Sequence, residues 1–477
     1  RFPVYRTYVD ADGASAQDRR YVEWAVGRAR ARSRTSDRTV LDFLQRALLG
    51  EAAADASIQT VAAWRDFAMR AQQFSAPVAA KGVEDTALYR FNRLVSLNEV
   101  GGDPEQFGIG VRAFHGASAD RAKRWPHTLL ATSTHDNKRG EDVRARIDAI
   151  SEMPAAWRAM VRKWRAMNRS HKALVDGAPA PSANDEYLLY QTLVGSSGDD
   201  GDATARAAYR ERITAYMRKA AREAKVHTSW LAPNAEYEAA LEAFVAALLG
   251  DAGERLFLPD LRRECRAFAW FGQLTSVSAT LLKLASPGVP DVYQGSELVD
   301  LSLVDPDNRR PVDYARRRAC LAAIDAIAHA TPGERGARLR ALFDPPLDGR
   351  AKLFVIARAL ALRREHPALF AYGDYRPVRV SGPHAAHVVA FARRHEDQGV
   401  IAIGARLFAS LGPAVGTLPV GACWSDTTLD LAFVPSGSAM LDVFGGTRTI
   451  ANGNVLPLAD AFADFPVALI HFRNAEA

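Results

Sequence analysis

Hydrophobic and polar positions change their spacing twice along this chain. The opening run Phe2-Pro3-Val4-Tyr5-Arg6-Thr7-Tyr8-Val9 is apolar, aromatic and β-branched. It stops at the turn signal Asp10-Ala11-Asp12-Gly13, so a strand is expected over Phe2–Val9. Helical spacing follows, from about Ala16 to Ala31 and from about Val40 to Arg70 with a break near Gly50. A second short strand is expected at Thr128-Leu129-Leu130-Ala131-Thr132. From Arg139 to Leu249 helical spacing dominates. In one of these helices Trp157, Met160, Val161, Trp164 and Met167 recur on one face. Such a stripe could be a sugar platform, but it is read as core packing, because an amphipathic helix buries its apolar face. In another, Tyr237, Leu241, Phe244, Val245 and Leu248 share a face, with Asn234 as N-cap and Gly250 as stop signal. A third strand is expected within Val289-Pro290-Asp291-Val292-Tyr293-Gln294-Gly295, after a helical run through Leu281 and Leu284. The last helix is expected from about Ala351 to Arg364.

Long helices between short apolar strands predict parallel strands joined by crossovers. After His366-Pro367 the spacing shortens to alternation. Strands are expected at Arg376–Val380, His387–Ala392, Val400–Ile403, Ser438–Val443 and Val467–Phe472, punctuated by Gly, Pro and Asn. This predicts a separate antiparallel sandwich.

A length of 477 residues exceeds one ordinary core, so two or three domains are expected. Hydrophobic residues at 48% and charged residues at 24% exclude a disordered chain. Lys plus Arg (61) nearly balances Asp plus Glu (55), for a net charge of +6. Clusters such as Arg316-Arg317-Arg318 lie beside helical patterns and read as solvated faces. Without a long basic run or aromatic-basic interleaving, no nucleic-acid partner is expected. No apolar stretch reaches the ~20 residues that span a bilayer, so no membrane partner is expected either. No signal peptide is visible, and a cytoplasmic protein is expected. The opening at Arg1, with no initiator Met and directly on a strand-like run, suggests a cleaved product or a partial sequence. Cys265, Cys320 and Cys423 are far apart and match no metal spacing, which predicts free thiols.

The segment richest in candidate chemistry is Ala131-Thr132-Ser133-Thr134-His135-Asp136-Asn137-Lys138-Arg139-Gly140-Glu141-Asp142. It puts polar groups at the C-terminal end of a parallel strand, the face on which barrels do chemistry. His135 can donate to a sugar hydroxyl. Asp136 can hold neighbouring hydroxyls or stabilise the positive charge of an oxocarbenium-like transition state. As a bare dipeptide a His-Asp pair says little. Its surroundings say more, because the segment resembles the strand-seven motif of the α-amylase family, where such a pair supplies substrate contact and transition-state stabilisation. The longer form, with Lys-Arg and Glu-Asp following, resembles one branch of that family. Three further stretches carry the same resemblance: Ala80-Lys81-Gly82-Val83-Glu84-Asp85-Thr86-Ala87-Leu88-Tyr89-Arg90, Ser96-Leu97-Asn98-Glu99-Val100-Gly101-Gly102-Asp103-Pro104, and Arg222-Glu223-Ala224-Lys225 with Thr228-Ser229-Trp230. Ser286 to Gly295 resembles the family's eighth strand.

The resemblance implies an α/β fold: the C-terminal portion of a (β/α)8 TIM barrel with a large helical insertion, followed by an antiparallel β-sandwich. Only the last three barrel strands are expected here, at Phe2–Val9, Thr128–Thr132 and Asp291–Tyr293. The implied domains are 1–138 for strands six and seven, 139–260 for the insertion, 261–366 for the barrel's end and 367–477 for the sandwich. The implied reaction is intramolecular transglucosylation. A maltooligosaccharide's reducing-end α-1,4 bond is cleaved and the glucose rejoined through an α,α-1,1 bond, with no metal or organic cofactor. Alternatives are another glucan hydrolase or transferase of the same family, or a non-catalytic glucan-binding partner fragment.

Retaining chemistry of this kind uses two carboxyls ~5–5.5 Å apart, a nucleophile and an acid/base. In the family they lie on strands four and five, before this chain begins. Neither is therefore assigned, the isolated chain is expected to be inactive, and the missing N-terminal part of the barrel is its expected partner. Glu84 and Asp85 are adjacent, and adjacent helical residues point in different directions. They read as a helix-start or substrate-contact element. The catalytic candidates are Asp136 and His135. The candidates for contact with a maltooligosaccharide or α-glucan are Lys81, Asp85, Lys138, Arg139, Tyr293, Asp305, Asn308 and Arg309. Lys81, Lys138 and Arg139 could instead pin acidic neighbours. Asn137 departs from the family pattern, which has a small hydroxyl residue there.

Overall fold

The structure is a computed structural model that describes residues 2–33, 38–198, 201–344 and 347–474. It is mixed α/β and forms two compact units, residues 1–91 with 221–232, and residues 92–220 with 233–477.

Helices Ala16–Arg32, Arg38–Leu48 and Ile58–Ala79 build the first unit, and the last of them continues as a π-helix over Ala80–Ala87. Ser15 starts the first helix. Its hydroxyl accepts from the Asp18 N–H (3.1 Å) while the Asp18 carboxylate accepts from the Ser15 N–H (3.2 Å), a reciprocal capping box. Val22, Val26 and Leu49 form a small core against Phe2, Leu41 and Leu48.

The expected strand Phe2–Val9 does not form. Its composition favours extended backbone, but a strand also needs a neighbour to complete the ladder. Among the described residues this segment pairs with no strand, and side chains satisfy it instead. The Gln72 amide takes both the N–H of Val9 (2.6 Å) and its C=O (3.0 Å). Asp18 accepts from the Tyr8 N–H (3.0 Å), and the Ser75 hydroxyl donates to the Tyr5 carbonyl (2.9 Å).

In the second unit, β1 (Leu129–Leu130) is parallel to β4 (Val289–Pro290). Val289 donates to the Thr128 carbonyl (2.9 Å) and Asp291 to that of Leu130 (2.8 Å). The third strand thus begins two residues before the expected Asp291–Tyr293 and ends at Pro290. Pro290 is tolerated because alternate residues donate along one side of a parallel ladder, and it falls between two donors. Between β1 and β4 lie the helices Glu141–Asp148, Pro154–Asn168, Ala183–Ser196, Ala203–Ala224, Ala235–Leu248 and Phe257–Ala285. A hairpin of β2 (Ala173–Val175) and β3 (Ala178–Ala180) interrupts them.

Trp157, Met160 and Trp164 are buried, so the aromatic stripe is core. Trp164 meets Tyr190 and Phe257 edge-on, at 5.4 and 5.8 Å between ring centroids. Asn234 caps its helix as expected, its side chain accepting from the Tyr237 N–H (3.0 Å). The 29-residue helix Phe257–Ala285 is the unit's central element. It crosses Glu141–Asp148 at Gly272, where a Cβ would come within 2.9 Å of the Arg146 Cα.

Among the described residues beyond Pro367 there are two antiparallel sheets. Six strands run in the order β11 (Arg448–Ile450), β10 (Ala439–Asp442), β13 (Val467–Arg473), β8 (Gln398–Ala405), β7 (Val388–His395), β5 (Arg376–Pro377). Three more run in the order β12 (Val455–Pro457), β9 (Thr428–Asp430), β6 (Val380–Ser381). The three-residue strands β9, β11 and β12 were not expected, being too short for alternation to show. Gly404 of β8 packs against Ser278 and Leu282, so the helix Phe257–Ala285 covers part of the larger sheet. Cys265, Cys320 and Cys423 are free thiols. Among the described residues no helix is long and apolar enough to cross a membrane.

Candidate active site

The loop that leaves β1 is a tightly bonded turn. Asn137 closes it, its side-chain oxygen accepting from the Thr134 N–H, and the Thr134 hydroxyl accepts from the Asp136 N–H (3.2 Å). His135 and Asp136 are exposed at its tip. The departure at Asn137 is therefore part of the turn's own bonding.

Both flanks of the turn are held from elsewhere. On the carbonyl side, the Asn308 amide donates to His135 (2.8 Å) and more weakly to Thr134 (3.4 Å). On the amide side, the Glu99 carboxylate accepts from the N–H groups of Lys138 (2.8 Å) and Arg139 (3.3 Å). The loop after β4 is joined to the same place. Gly140 donates to the Ser302 carbonyl (2.9 Å), Arg139 bridges Leu303, and the Tyr293 hydroxyl donates to the Asn308 carbonyl (3.2 Å).

Arg139 was a candidate for contact with sugar, and the structure turns it inward. It is 3% exposed, its guanidinium donates to the Val95 carbonyl (3.1 Å) and the Tyr216 hydroxyl (2.6 Å), and it lies over the Tyr216 ring. Burial, with those two bonds, keeps the guanidinium away from the surface a sugar would reach. Lys138 is buried as well.

Asp305 and Arg309 form an ion pair (2.8 Å) that is partly exposed, and Lys219 donates to the Asp305 carbonyl (2.6 Å). Between them Asp307 takes a two-pronged contact from Arg212 (2.7 Å each) and accepts from the Leu303 N–H (2.8 Å). Burial pushes the Asp307 carboxyl up, but the Arg212 fork more than reverses this and holds it below the usual range. Arg317, expected on a solvated face, reaches Glu297 (2.9 Å).

Beneath the turn lies a buried ion network. Lys352 donates to Glu141 (3.0 Å) and Asp142 (2.7 Å), and Lys283 donates to the Thr132 hydroxyl (2.8 Å) and the Asp291 carbonyl (2.9 Å). Ser276 donates to Asp142 (2.5 Å), which also accepts from the Asp300 N–H (2.8 Å). Burial alone would raise the Glu141 carboxyl; Lys352 and Lys283 outweigh it and hold it at about 2. Burial would lower the Lys352 ammonium, and Asp142 and Glu141 raise it instead. The ends of β1 and β4 are thus fixed to the helices Glu141–Asp148, Phe257–Ala285 and Arg350–Glu365 through charges.

Lys81 and Asp85 lie in the first unit and pair with each other on the π-helix. Glu84 is buried and accepts from the Tyr5 hydroxyl, whereas Asp85 is part exposed. The two neighbours do face different surroundings. Sequence reasoning assigned no role to Glu99, Lys283 or Lys352. Glu99 stood inside a quoted stretch. Lys283 and Lys352 carried one faint signal, a single Lys set among apolar residues of a helix.

No family model matches the chain. It is 41% identical over 408 residues to a curated Mycobacterium tuberculosis (strain ATCC 25618 / H37Rv) protein described as "Putative maltooligosyl trehalose synthase", a match covering 86% of this chain and 46% of that protein. The maltooligosyltrehalose synthase structure from Arthrobacter ramosus superposes with a TM-score of 0.76 at 34% identity, over 99% of this chain and 52% of that one. A hypothetical maltooligosyl trehalose synthase of Sulfolobus tokodaii gives 0.62 at 26% identity, over 96% and 55%. The chain spans about half the length of the relatives it matches.

Proposed function

The chain is homologous to maltooligosyl trehalose synthases, and from that premise we propose that it supplies the substrate-facing end of a glucan-rearranging site. On this reading β1 and β4 are neighbouring strands of a (β/α)8 barrel, and the two sheets beyond Pro367 make a sandwich. The reaction converts the reducing-end α-1,4 bond of a maltooligosaccharide into an α,α-1,1 bond. Asp136 stabilises the charge that develops on the glucosyl ring, and His135 donates to one of its hydroxyls. Asp305, Asn308 and Arg309, on the loop docked against the same turn, are the next substrate contacts. Arg139 acts as an anchor of the turn. The nucleophile and the general acid are assigned to no residue of this chain, so by itself it is expected to be inactive.

The observation that carries the reading is the placement of His135 and Asp136. They are exposed at the C-terminal end of a parallel strand, on a turn bonded at both flanks. Preorganised groups of this kind act without reorganising when charge develops. The test is product analysis with maltohexaose, using the complete enzyme. A non-reducing, trehalose-ended product is expected, and free short sugars or branched glucan would point to a different glucan-acting enzyme. Asp136→Asn should lower turnover by on the order of 10²–10³ without loss of folding. Near-normal turnover would remove Asp136 from the mechanism.

A further inference from the structure

We propose that Glu99 is the positioning residue for Asp136, setting the direction of its carboxylate through the backbone. The proposal rests on the functional reading above, in which Asp136 stabilises the transition state. Among the described residues, no hydrogen bond or ion pair holds the Asp136 side chain, which is exposed. Its position therefore comes from the turn that carries it. Asn137 and Thr134 bond inside that turn and cannot fix it relative to the rest of the unit. Groups from other segments do so: Gly140 and the Arg139 guanidinium tie the turn's far end to Ser302, Val95 and Tyr216, and among the described residues the two side chains that reach in to its backbone are Asn308 on the carbonyl side and Glu99 on the amide side.

Glu99 is the stronger of the two. Its two oxygens accept from successive N–H groups, Lys138 to Oε1 and Arg139 to Oε2, and a charged acceptor makes bonds about twice as strong as a neutral one. Its own place is well determined. The Arg144 guanidinium lies 3.9 Å away, Val100 donates to the same carboxylate (2.9 Å), and Gly102 donates to the Glu99 carbonyl (2.8 Å). A Cβ at Gly102 would sit 2.9 Å from that carbonyl, so the turn after Glu99 closes only with glycine there. The stretch Ser96 to Pro104, noted in the sequence without a role, thus delivers one carboxylate to the base of the His135–Asp136 turn. Lys138 and Arg139 serve here through their backbone, in keeping with their buried side chains.

The test is Glu99→Gln in the complete enzyme. Glutamine keeps one acceptor and sets an NH2 against the other N–H. A misplacement of about 1 Å can cost on the order of 10² in rate, so kcat should fall by about that factor, with KM for maltopentaose unchanged. A purely structural role would lower the melting temperature and the active fraction but leave kcat per folded molecule intact, and that result would overturn the proposal. The coupling is read in a double-mutant cycle. In an Asp136→Asn background, Glu99→Gln should cost almost nothing more, and a fully additive loss would overturn the assignment. Deuterium exchange supplies a readout independent of activity. The peptide Thr134–Gly140 should exchange faster in Glu99→Gln while the C-terminal sheets stay protected, and unchanged exchange would count against Glu99. If Asp136→Asn alone is fully active, the functional reading fails and takes the proposal with it. If Asp136→Asn is crippled and Glu99→Gln is normal, only the role of Glu99 is lost.

Discussion

The six-stranded sheet and the end of β1 hold their chains in position by opposite means. In the sheet, β7 and β8 pair along eight residues, and Val388 to Arg393 are all buried. Backbone ladders and apolar side chains such as Phe391, Ile401, Ile403 and Phe472 fix the geometry. Around β1 the ladder is two residues long, too short to fix a loop. Position there comes from side-chain bonds and buried charges: Glu99, Asn308, Glu141, Asp142, Lys283 and Lys352. The difference has a consequence. A sheet shares its load over many small contacts, while the site end depends on a few polar groups that no neighbour can replace.

The largest effect should come from removing a charge at the network's centre. Lys352→Met leaves Glu141 and Asp142 buried with their main partner gone, and breaking a buried pair costs about 3–5 kcal/mol. Phe391→Ala in the sheet should cost a similar amount, about 3–5 kcal/mol, through its cavity. The two separate in kinetics. Urea melts should register both, but kcat per folded molecule should fall for Lys352→Met and stay constant for Phe391→Ala. Equal kinetic losses would break the comparison.

Acid should act on the two regions in opposite senses. Glu141 is held at about 2, below its ordinary 4.5, so its contribution to stability is complete above 4.5 and disappears as pH falls toward about 2. Asp442, at the end of β10, is pushed by burial up to about 6 from an ordinary 3.8. Its contribution is complete below 3.8 and is lost as pH rises through about 6. Glu141→Gln should therefore cost most stability at neutral pH, and Asp442→Asn should cost most in acid. Urea melts of each variant across the acid range check the two signs.

The smallest effect is expected from Tyr293→Phe. It removes one neutral bond to the Asn308 carbonyl, about 0.5–1.5 kcal/mol, and leaves the Asn308 amide in place. Less than a tenfold change in kcat and a small shift in melting temperature are expected. A loss as large as that of Asp136→Asn would mean that the Tyr293 hydroxyl meets substrate.

What the sequence alone determined is what local rules govern. The helix expected over Ala16–Ala31 spans Ala16–Arg32, and the one over Ala351–Arg364 spans Arg350–Glu365, because helical bonds join residues four apart. All five longer alternating segments beyond Pro367 contain strands, since alternation is itself the sheet's signature. The hairpin β2–β3 was missed, although its turn carries a local signal. Asp176-Gly177 is a strong turn pair, and both residues have positive φ (51° and 74°), but the helical spacing on either side masked it. The exposed His135-Asp136 pair could be found because it sits at the end of an apolar run. Tertiary structure decided the rest. Whether Phe2–Val9 became a strand depended on a neighbour, and Gln72 stood there instead. That Arg139 turns inward depended on Tyr216, 77 residues away. Glu99 reaches Lys138 across 39 residues, and Lys352 reaches Asp142 across 210. No periodicity spans such distances: a carboxylate or an ammonium acquires its role only when folding removes water and leaves it a few fixed partners.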